Sequence, residues 1–133
     1  METCIFCKIV KGEIPSKKIF ENDSVVAFLD INPISKGHSL VIPKNHYVDI
    51  FEMPEHVLAE IIRAAKLLSK ELMEKLEADG INLLQSNRPA ANQIVPHFHL
   101  HIIPRYKGDG LLIVHGRRTS GKELDEVFER LKK

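Results

Sequence analysis

Three histidines alternate with apolar residues in the segment His-Phe-His-Leu-His-Ile-Ile, which spans residues 97–103. Side chains of a β-strand alternate between its faces, so a strand here places three imidazoles on one face, about 6.6 Å apart. These are His97, His99 and His101. The opposite face then carries Phe98, Leu100 and Ile102, which can pack beneath a helix. Strict alternation of three histidines favours a chemically active sheet face over a solvated polar one.

Two kinds of chemistry fit such a face. In one, the three imidazoles bind a catalytic zinc ion and leave a fourth coordination position open for water. In the other, a neutral imidazole attacks phosphorus while a hydrogen bond at its second nitrogen fixes the tautomer. The neighbouring histidines then bind phosphate oxygens and stabilise the developing charge. The polar loop before the strand supplies matching uncharged groups, namely Ser86, Asn87, Asn92 and Gln93.

The only two cysteines of the chain form a second motif, Cys4-x-x-Cys7. In a reducing compartment this spacing indicates metal binding or redox chemistry rather than a structural disulfide. It matches half of a tetrahedral zinc site, but no histidine pair follows at the spacing of a zinc finger. The residues alone therefore leave zinc binding, a redox pair and free buried thiols open.

Composition narrows the class of protein. The chain has 133 residues, enough for one domain whose core needs no disulfide. Its 19 basic and 18 acidic residues give a net charge of +1, which argues against a dedicated nucleic-acid binder but is compatible with a local anion site. No apolar run approaches the ~18 residues of a membrane span, and the N-terminus lacks the layout of a signal peptide. We therefore expect a cytoplasmic protein without a membrane or nucleic-acid partner.

The elements that must position these residues follow from periodicity. Apolar residues at steps of three and four predict a long helix over residues 54–79, with Pro54 in its first turn and Gly80 as its C-terminal cap. Alternating or apolar segments predict five strands, at residues 17–20, 24–30, 39–43, 81–85 and 97–103. A capping box predicts a short helix over residues 123–132. The pattern indicates an α+β fold: an antiparallel sheet of about five strands, one long helix and shorter terminal helices.

The chain resembles the histidine triad (HIT) family. All seven positions of the histidine segment match the family pattern, and Gln93 lies four residues before His97 as it does in that family. Four N-terminal segments also match in order, at residues 4–9, 12–15, 28–33 and 37–44. The likeness covers about residues 4–106, which implies one HIT domain over residues 1–133 with a C-terminal extension over 107–133. His56 and His115, which have no place in the motif, are expected at the surface.

The resemblance implies a nucleotide hydrolase or transferase that acts at an α-phosphate. The middle histidine, His99, is expected to form a covalent nucleotidyl intermediate that water then hydrolyses. His101 is expected to orient the nucleophile and contact the phosphate or the leaving group, with support from His38. Gln93 and Asn87 are placed near the phosphate, whereas Ile94 stands where the family often has Ser or Thr. The substrates implied are purine nucleoside phosphoramidates or related adenylates; a dinucleoside polyphosphate hydrolase and a nucleotide-binding module with little turnover are the alternatives.

Nucleoside binding is likewise implied by the resemblance. Asp30 matches the carboxylate that accepts hydrogen bonds from both ribose hydroxyls, although by itself it could simply cap the turn at Asn32-Pro33. The apolar cleft around the base is expected to include Ile5, Phe6, Phe28, Ile31 and Leu40.

A structural zinc site and a homodimer are implied as well. HIT proteins with the Cys-x-x-Cys motif complete a zinc site with two distant histidines. The resulting ligand set here is Cys4, Cys7, His46 and His97. In this arrangement His97 is a structural ligand, and the other two histidines of the segment remain free for chemistry.

Overall fold

A computed structural model describes residues 3–111 and 116–132. The elements in chain order are α1 (Ile5–Val10), β1 (Lys18–Glu21), β2 (Val25–Leu29), β3 (Ser39–Pro43), α2 (Glu55–Lys75), β4 (Gly80–Gln85), β5 (Leu100–Arg105) and α3 (Gly121–Leu131). One 3₁₀ turn, Pro89–Ala91, lies between β4 and β5. This confirms the predicted α+β fold with one long helix and shorter terminal helices. Residue 115, predicted at the surface, lies outside the described residues.

The five strands form one antiparallel sheet in the order β1-β2-β3-β5-β4. Helix α2 covers one face, where it packs on Val25, Ala27, Val41, Leu100 and Ile102. The other face carries the short helix α1, packed on Val26, Phe28, Leu40 and Ile42. Since His101 alternates with Leu100 and Ile102, its side chain belongs to the face opposite α2. The site therefore forms on the α1 side of the sheet.

The last strand begins later than predicted. β5 starts at Leu100, so His97 and His99 lie in an extended segment before it, and the expected strand over residues 97–103 was wrong at its start. The backbone N–H of His97 donates to Val95 O at 2.8 Å, and that of Phe98 donates to Tyr47 O at 2.7 Å. These bonds replace ladder hydrogen bonds with β3. The predicted packing of Phe98, Leu100 and Ile102 beneath α2 is confirmed.

Helix α2 is shorter than its apolar pattern suggested. It spans Glu55–Lys75, with Pro54 as the N-terminal cap residue rather than in the first turn. Glu77, with a φ of 56°, turns the chain out of the helix, so Gly80 is the first residue of β4 and not a helix cap. The prediction for Gly80 was therefore wrong, because a non-glycine residue adopts the left-handed conformation here.

Gly37 is the one glycine that close packing requires. Its φ is +92°, and a Cβ there would lie 2.6 Å from Leu76 Cδ1 at the C-terminal end of α2. The loop between β2 and β3 thus passes tightly against the helix just before His38. This packing fixes the position from which His38 enters the site.

The C-terminal helix is capped as the sequence predicted. The Ser120 hydroxyl accepts a hydrogen bond from Glu123 N at 3.2 Å, and α3 extends two residues further toward the N-terminus than expected. Within residues 3–111 and 116–132, no helix has both the length and the hydropathy needed to cross a bilayer.

Candidate active site and metal centre

The ring of His99 is held in one tautomer by a backbone carbonyl. Its Nδ1 lies 2.8 Å from His97 O, and a carbonyl can only accept a hydrogen bond. The proton therefore resides on Nδ1, and Nε2 keeps its lone pair. The side chain is 7% exposed, so water competes little for that nitrogen. A buried imidazole with an uncommitted lone pair is the arrangement that a nucleophile requires.

A second backbone group sets the protons on His38 and His101. The amide of Ile34 donates to His38 Nδ1 at 3.0 Å, so a neutral His38 carries its proton on Nε2. That nitrogen lies 2.9 Å from His101 Nδ1 and donates to it. Because Nδ1 of a neutral His101 accepts this hydrogen bond, the single proton of its ring is on Nε2. The His101 ring packs against the His99 ring, with 5.0 Å between centroids, and offers an N–H donor beside His99.

Asp30 lies at the edge of this histidine chain. Its Oδ1 accepts from Asn32 N at 2.8 Å, which is the turn-capping contact that the sequence suggested. Its Oδ2 lies 3.6 Å from His38 Nε2, too far for a strong hydrogen bond. The carboxylate is half-buried, and Oδ2 is available to a ligand hydroxyl.

Burial keeps four histidines neutral at physiological pH, namely His38, His97, His99 and His101. Desolvation lowers the pKa of His38 and His99 below the ordinary value of 6.5. It lowers the pKa of His101 to about 4, with further contributions from His99 and His38, and the pKa of His97 also to about 4. A neutral imidazole keeps a lone pair on one nitrogen, with which it can attack, accept a hydrogen bond or bind a metal. An imidazolium has no such lone pair.

Four side chains from distant parts of the chain form a second cluster. One potential ligand atom from each of Cys4, Cys7, His46 and His97 lies within 4.8 Å of all the others. Cys4 Sγ lies 3.3 Å from His97 Nδ1, and Cys7 Sγ lies 3.3 Å from His46 Nδ1. Burial, together with the neighbouring Cys4 thiol, raises the pKa of Cys7. The cluster could bind a metal ion.

The donor set and the tautomer of His97 both fit zinc. The ring Nε2 of His97 donates to Pro43 O at 2.9 Å, which leaves a lone pair on Nδ1, the nitrogen that faces both thiols. Two thiolates and two imidazoles are a common ligand set for tetrahedral structural zinc. A carbonyl bonded to the far ring nitrogen is the outer-shell contact that ligating histidines usually make.

The structure divides the three histidines of the segment between two clusters. His97 Nδ1 faces the cysteines, whereas His101 groups with Asp30 and His38. Among the described residues, no group of potential metal ligands contains all three. The geometry therefore favours a nucleophilic histidine over a single zinc ion bound by the whole triad.

The expected base-binding residues fall into two sets. Phe6, Phe28 and Leu40 are buried together in the core beneath α1. The Phe6 ring contacts the His99 ring edge-on, with centroids 5.1 Å apart. Ile5 and Ile31 are 44% and 89% exposed, and their side chains are open to a ligand.

The side-chain amides of Gln93 and Asn87 are both hydrogen-bonded to backbone groups of the protein. Gln93 Nε2 donates to Val48 O at 2.6 Å and to Val95 O at 3.1 Å, while its Oε1 accepts from Arg88 N at 2.6 Å. Asn87 Oδ1 accepts from Ile50 N at 2.7 Å. Both amides thus tie the loop before β5 to the segment after β3. In this state Gln93 has no free N–H to offer a phosphate.

Two contributors were not evident from the sequence. Ile34 acts through its backbone amide, which no side-chain pattern reveals. Arg88 has a φ of 75° and a ψ of 157°, a region that non-glycine residues rarely occupy, and its amide holds Gln93. Only the clustering of polar residues in the loop before β5 could have indicated a constrained backbone there.

A cavity of about 390 Å³ opens beside the Cys4–Cys7–His46–His97 cluster. Its lining residues are Thr3, Cys4, Ile5, His46, Val48, Ile94, Val95 and Pro96. Of these eight residues none is lysine, arginine or a carboxylate, so the cavity suits an apolar or weakly polar group.

One face of the antiparallel sheet thus presents a buried histidine in a fixed tautomer beside a hydrogen-bonded pair of histidines. The family model for the HIT domain matches residues 11–108 of the chain. The chain belongs to the HIT domain family.

Relatives match over most of the chain, and some of them carry names that state an activity. An uncharacterized HIT-like protein of Methanocaldococcus jannaschii is 48% identical over 97% of this chain and 98% of its own length. The adenosine 5'-monophosphoramidase of Candida albicans is 44% identical over 98% of this chain and 90% of its length. The adenylylsulfatase of Arabidopsis thaliana is 41% identical over 96% of this chain, which spans 65% of that longer protein.

Solved structures agree with the fold. A Streptococcus mutans protein superimposes with a TM-score of 0.93 at 37% identity, covering 99% of this chain and 85% of that one. A zinc-bound histidine triad family protein of Mycobacterium smegmatis gives a TM-score of 0.81 at 36% identity, covering 98% and 96%.

Proposed function

We propose that the chain is a nucleotide hydrolase that cleaves at the α-phosphate of purine nucleoside phosphoramidates or related adenylates through a nucleotidyl-His99 intermediate. The observation that carries the proposal is the 2.8 Å contact from His99 Nδ1 to His97 O, which leaves the lone pair on Nε2. The names of two relatives, an adenosine monophosphoramidase and an adenylylsulfatase, support an adenosine-containing substrate.

The first step forms a bond from His99 Nε2 to the α-phosphorus. The bond from phosphorus to the leaving nitrogen breaks, and that nitrogen takes the electron pair together with a proton from solvent. The Nε2–H of His101 donates to a phosphoryl oxygen or to the leaving atom and so stabilises the developing charge. In the second step water attacks phosphorus, its proton passes to solvent, and the nucleoside monophosphate leaves a neutral His99.

The nucleoside is proposed to bind between Asp30 and the apolar residues. Asp30 Oδ2 accepts from the ribose hydroxyls, since its hydrogen bond to the turn uses only Oδ1. Phe6, Phe28 and Leu40 supply a buried wall for the base, and the exposed side chains of Ile5 and Ile31 fold against its outer face. Gln93 and Asn87 are proposed to act on the phosphate site indirectly, by bracing the loop before β5, because both N–H groups of Gln93 are already engaged by Val48 O and Val95 O.

The apolar cavity favours phosphoramidates over dinucleoside polyphosphates. Ile94 lines it, and the resemblance places that residue on the leaving-group side. A second nucleotide with its bridging phosphates carries several negative charges, and none of the eight lining residues is a lysine or arginine to neutralise them. An amine with an apolar substituent fits that lining better.

Rates on two substrates test this specificity. We expect kcat/KM for an adenosine 5'-phosphoramidate with an apolar amine to exceed that for diadenosine tetraphosphate. Ile94→Lys should narrow the ratio because it adds a cation to the cavity, and Ile94→Val is the matched control. Faster cleavage of the tetraphosphate would favour the polyphosphate hydrolase. Nucleotide binding without turnover of either compound would favour a binding module.

We propose that the four-residue cluster binds a structural zinc ion. Cys4 and Cys7 would hold it from the first helix, and His46 and His97 would hold it from the segments after β3 and before β5. When bound, zinc supplies a closed tetrahedral link between these segments and takes no part in the chemical step itself. Metal analysis of protein purified without chelators tests this: about one zinc per chain is expected, and its absence would reject the site.

We propose a homodimer that forms through the edge of β4. The two edge strands differ: β1 is short, carries Lys18 and Glu21, and contains a register shift. β4 has six residues, no charge, and two leucines that are 49% and 48% exposed, Leu83 and Leu84. Charges and irregularities protect an edge from pairing, so β4 is the edge that a second copy would cover. Leu84→Lys should therefore yield monomers in light scattering, whereas Ile19→Lys on β1 should not.

A further inference from the structure

We propose that the Cys4–Cys7–His46–His97 cluster positions the nucleophile, with His97 as the positioning residue that links the metal to His99. The proposal rests on the proposed function of His99 and assigns the metal cluster a part in setting that side chain's tautomer. It predicts that loss of the metal alters the protonation site of the His99 ring, beyond any loss of stability.

His97 is held at every polar atom it possesses. Its Nδ1 faces the two thiols at 3.3 and 3.6 Å, and its Nε2 donates to Pro43 O at 2.9 Å. Its backbone N–H donates to Val95 O at 2.8 Å. Its carbonyl accepts the 2.8 Å bond from His99 Nδ1. The residue is fully buried, and it contacts the cysteine thiols through its ring and His99 through its carbonyl.

Phe6 provides a second connection between the two sites. It lies between the two cysteines in sequence, so the short helix segment that carries both thiols also carries its ring. The ring contacts His97 and His99 edge-on, with centroid distances of 5.8 and 5.1 Å. Cys4 also caps α1, since its Sγ accepts from Cys7 N at 3.4 Å. Metal binding by the two thiolates would fix this helix and thereby the contact of Phe6 with His99.

His38 and His101 do not share this dependence. Their tautomers are set by the Ile34 amide, and none of the three contacts the cysteines. Loss of the metal should therefore change His99 while the His38–His101 bond persists. Without a fixed carbonyl, a proton can move to His99 Nε2, which would block the lone pair that attacks.

His46 is the ligand whose substitution tests the link most cleanly. It packs against the His97 ring, with 4.9 Å between centroids, and makes no contact with His99. His56 on α2 is exposed and offers a matched control. Nitrogen-15 NMR of ring-labelled histidines reports which nitrogen of each imidazole carries the proton, independently of turnover.

The experiment compares zinc-loaded wild type, His46→Gln and His56→Gln, with α2 amide resonances as the check on folding. We expect one Nδ1–H tautomer for His99 in wild type and His56→Gln, and a mixture of tautomers in His46→Gln. We also expect kcat to fall about 10-fold or more in His46→Gln, with a smaller change in the dissociation constant for AMP, because the change acts on His99 only indirectly through His97. An unchanged His99 tautomer in folded His46→Gln would overturn the proposal.

A measurement on wild type keeps the test decisive if His46→Gln does not fold. Linkage requires that an effect of the metal on His99 has a reciprocal effect of ligand binding at His99 on the metal. With cadmium-113 in place of zinc, saturating AMP should shift the cadmium resonance, and in His99→Ala the shift should shrink. A resonance that AMP leaves unmoved would overturn the link. If wild type turns over no substrate, the proposed function fails, and these two spectra still decide the link separately.

Discussion

His38 Nε2 and His101 Nδ1 lie 2.9 Å apart, and the backbone amide of Ile34 determines which of them holds the proton. This single amide sets two tautomers in series and places an N–H of His101 beside His99, the proposed nucleophile. The site therefore depends on backbone groups for its proton arrangement, at Ile34 for His101 and at His97 for His99.

Removal of His38 should impair catalysis more than nucleotide binding. In His38→Ala, nothing fixes the His101 tautomer, so its Nε2–H is no longer assured. We expect kcat on an adenosine phosphoramidate to fall by about 10²-fold, at the low end of the range for lost acid–base groups. His56→Ala should leave kcat unchanged. Equal kcat for His38→Ala and wild type would contradict a role for this chain of hydrogen bonds.

The pH profile should show an acid limb well below the ordinary histidine value. His101 must be unprotonated at Nδ1 to accept from His38. Burial lowers the pKa of His101 to about 4, with His99 and His38 acting in the same direction and Asp30 opposing them. Because a lowered pKa delays protonation, kcat/KM should stay constant as pH falls through 6.5 and decline only at more acid pH. A limb centred at 6.5 or above, after correction for uncatalysed hydrolysis, would show that this ring is not buried as described.

Gly37→Ala should disturb both stability and activity. Its φ of +92° strains any other residue, and the added Cβ would lie 2.6 Å from Leu76 Cδ1. We expect a loss of about 1–3 kcal/mol in the free energy of unfolding from backbone strain, and a lower kcat because His38 follows directly. Denaturant titrations of Gly37→Ala, of Leu76→Ala and of the double variant separate the two causes, because Leu76→Ala alone measures the packing that its own truncation loses. In the Leu76→Ala background, Gly37→Ala should still destabilise by the backbone part, and no further loss there would refute the backbone contribution.

Zinc should stabilise the folded protein, and increasingly so as its concentration rises above its dissociation constant. A ligand that binds only the native state adds about 2.7 kcal/mol at a hundredfold excess over its dissociation constant. We expect EDTA to lower Tm and zinc to restore it, and Cys7→Ser to abolish the zinc response. Since burial raises the pKa of Cys7 and zinc binds the thiolate, the affinity should increase as pH rises. A Tm that does not respond to zinc in wild type would reject the site.

The main elements could be predicted because their signals are local. Strand β3 was expected and found at residues 39–43, and the apolar pattern located α2 to within a few residues at each end. The start of β5 was missed because Phe98 bonds to Tyr47, a residue far away in sequence. Alternation in a sequence reports which face a side chain takes, but not whether the backbone pairs with a neighbouring strand.

Only part of the site could be predicted from the sequence. The histidine segment and the cysteine pair identify themselves by spacing. His46 could be joined to Cys7 only through the family resemblance, because nothing local links residues 39 positions apart. The hydrogen bonds that occupy the Gln93 amide, to backbone groups of Val48, Val95 and Arg88, could not be predicted from the sequence either. They require three separate backbone groups to meet in space.

The covalent intermediate is the central claim, and rapid-quench intact-mass measurement tests it most directly. Wild type is mixed with an adenosine phosphoramidate and quenched without acid within the first turnover. Its intact mass is then measured beside that of His99→Ala treated in the same way. We predict a transient adenylyl adduct on wild type that peptide mapping assigns to His99, and neither adduct nor turnover in His99→Ala. Undiminished turnover in His99→Ala, or turnover by wild type with no adduct at any time point, would contradict the account.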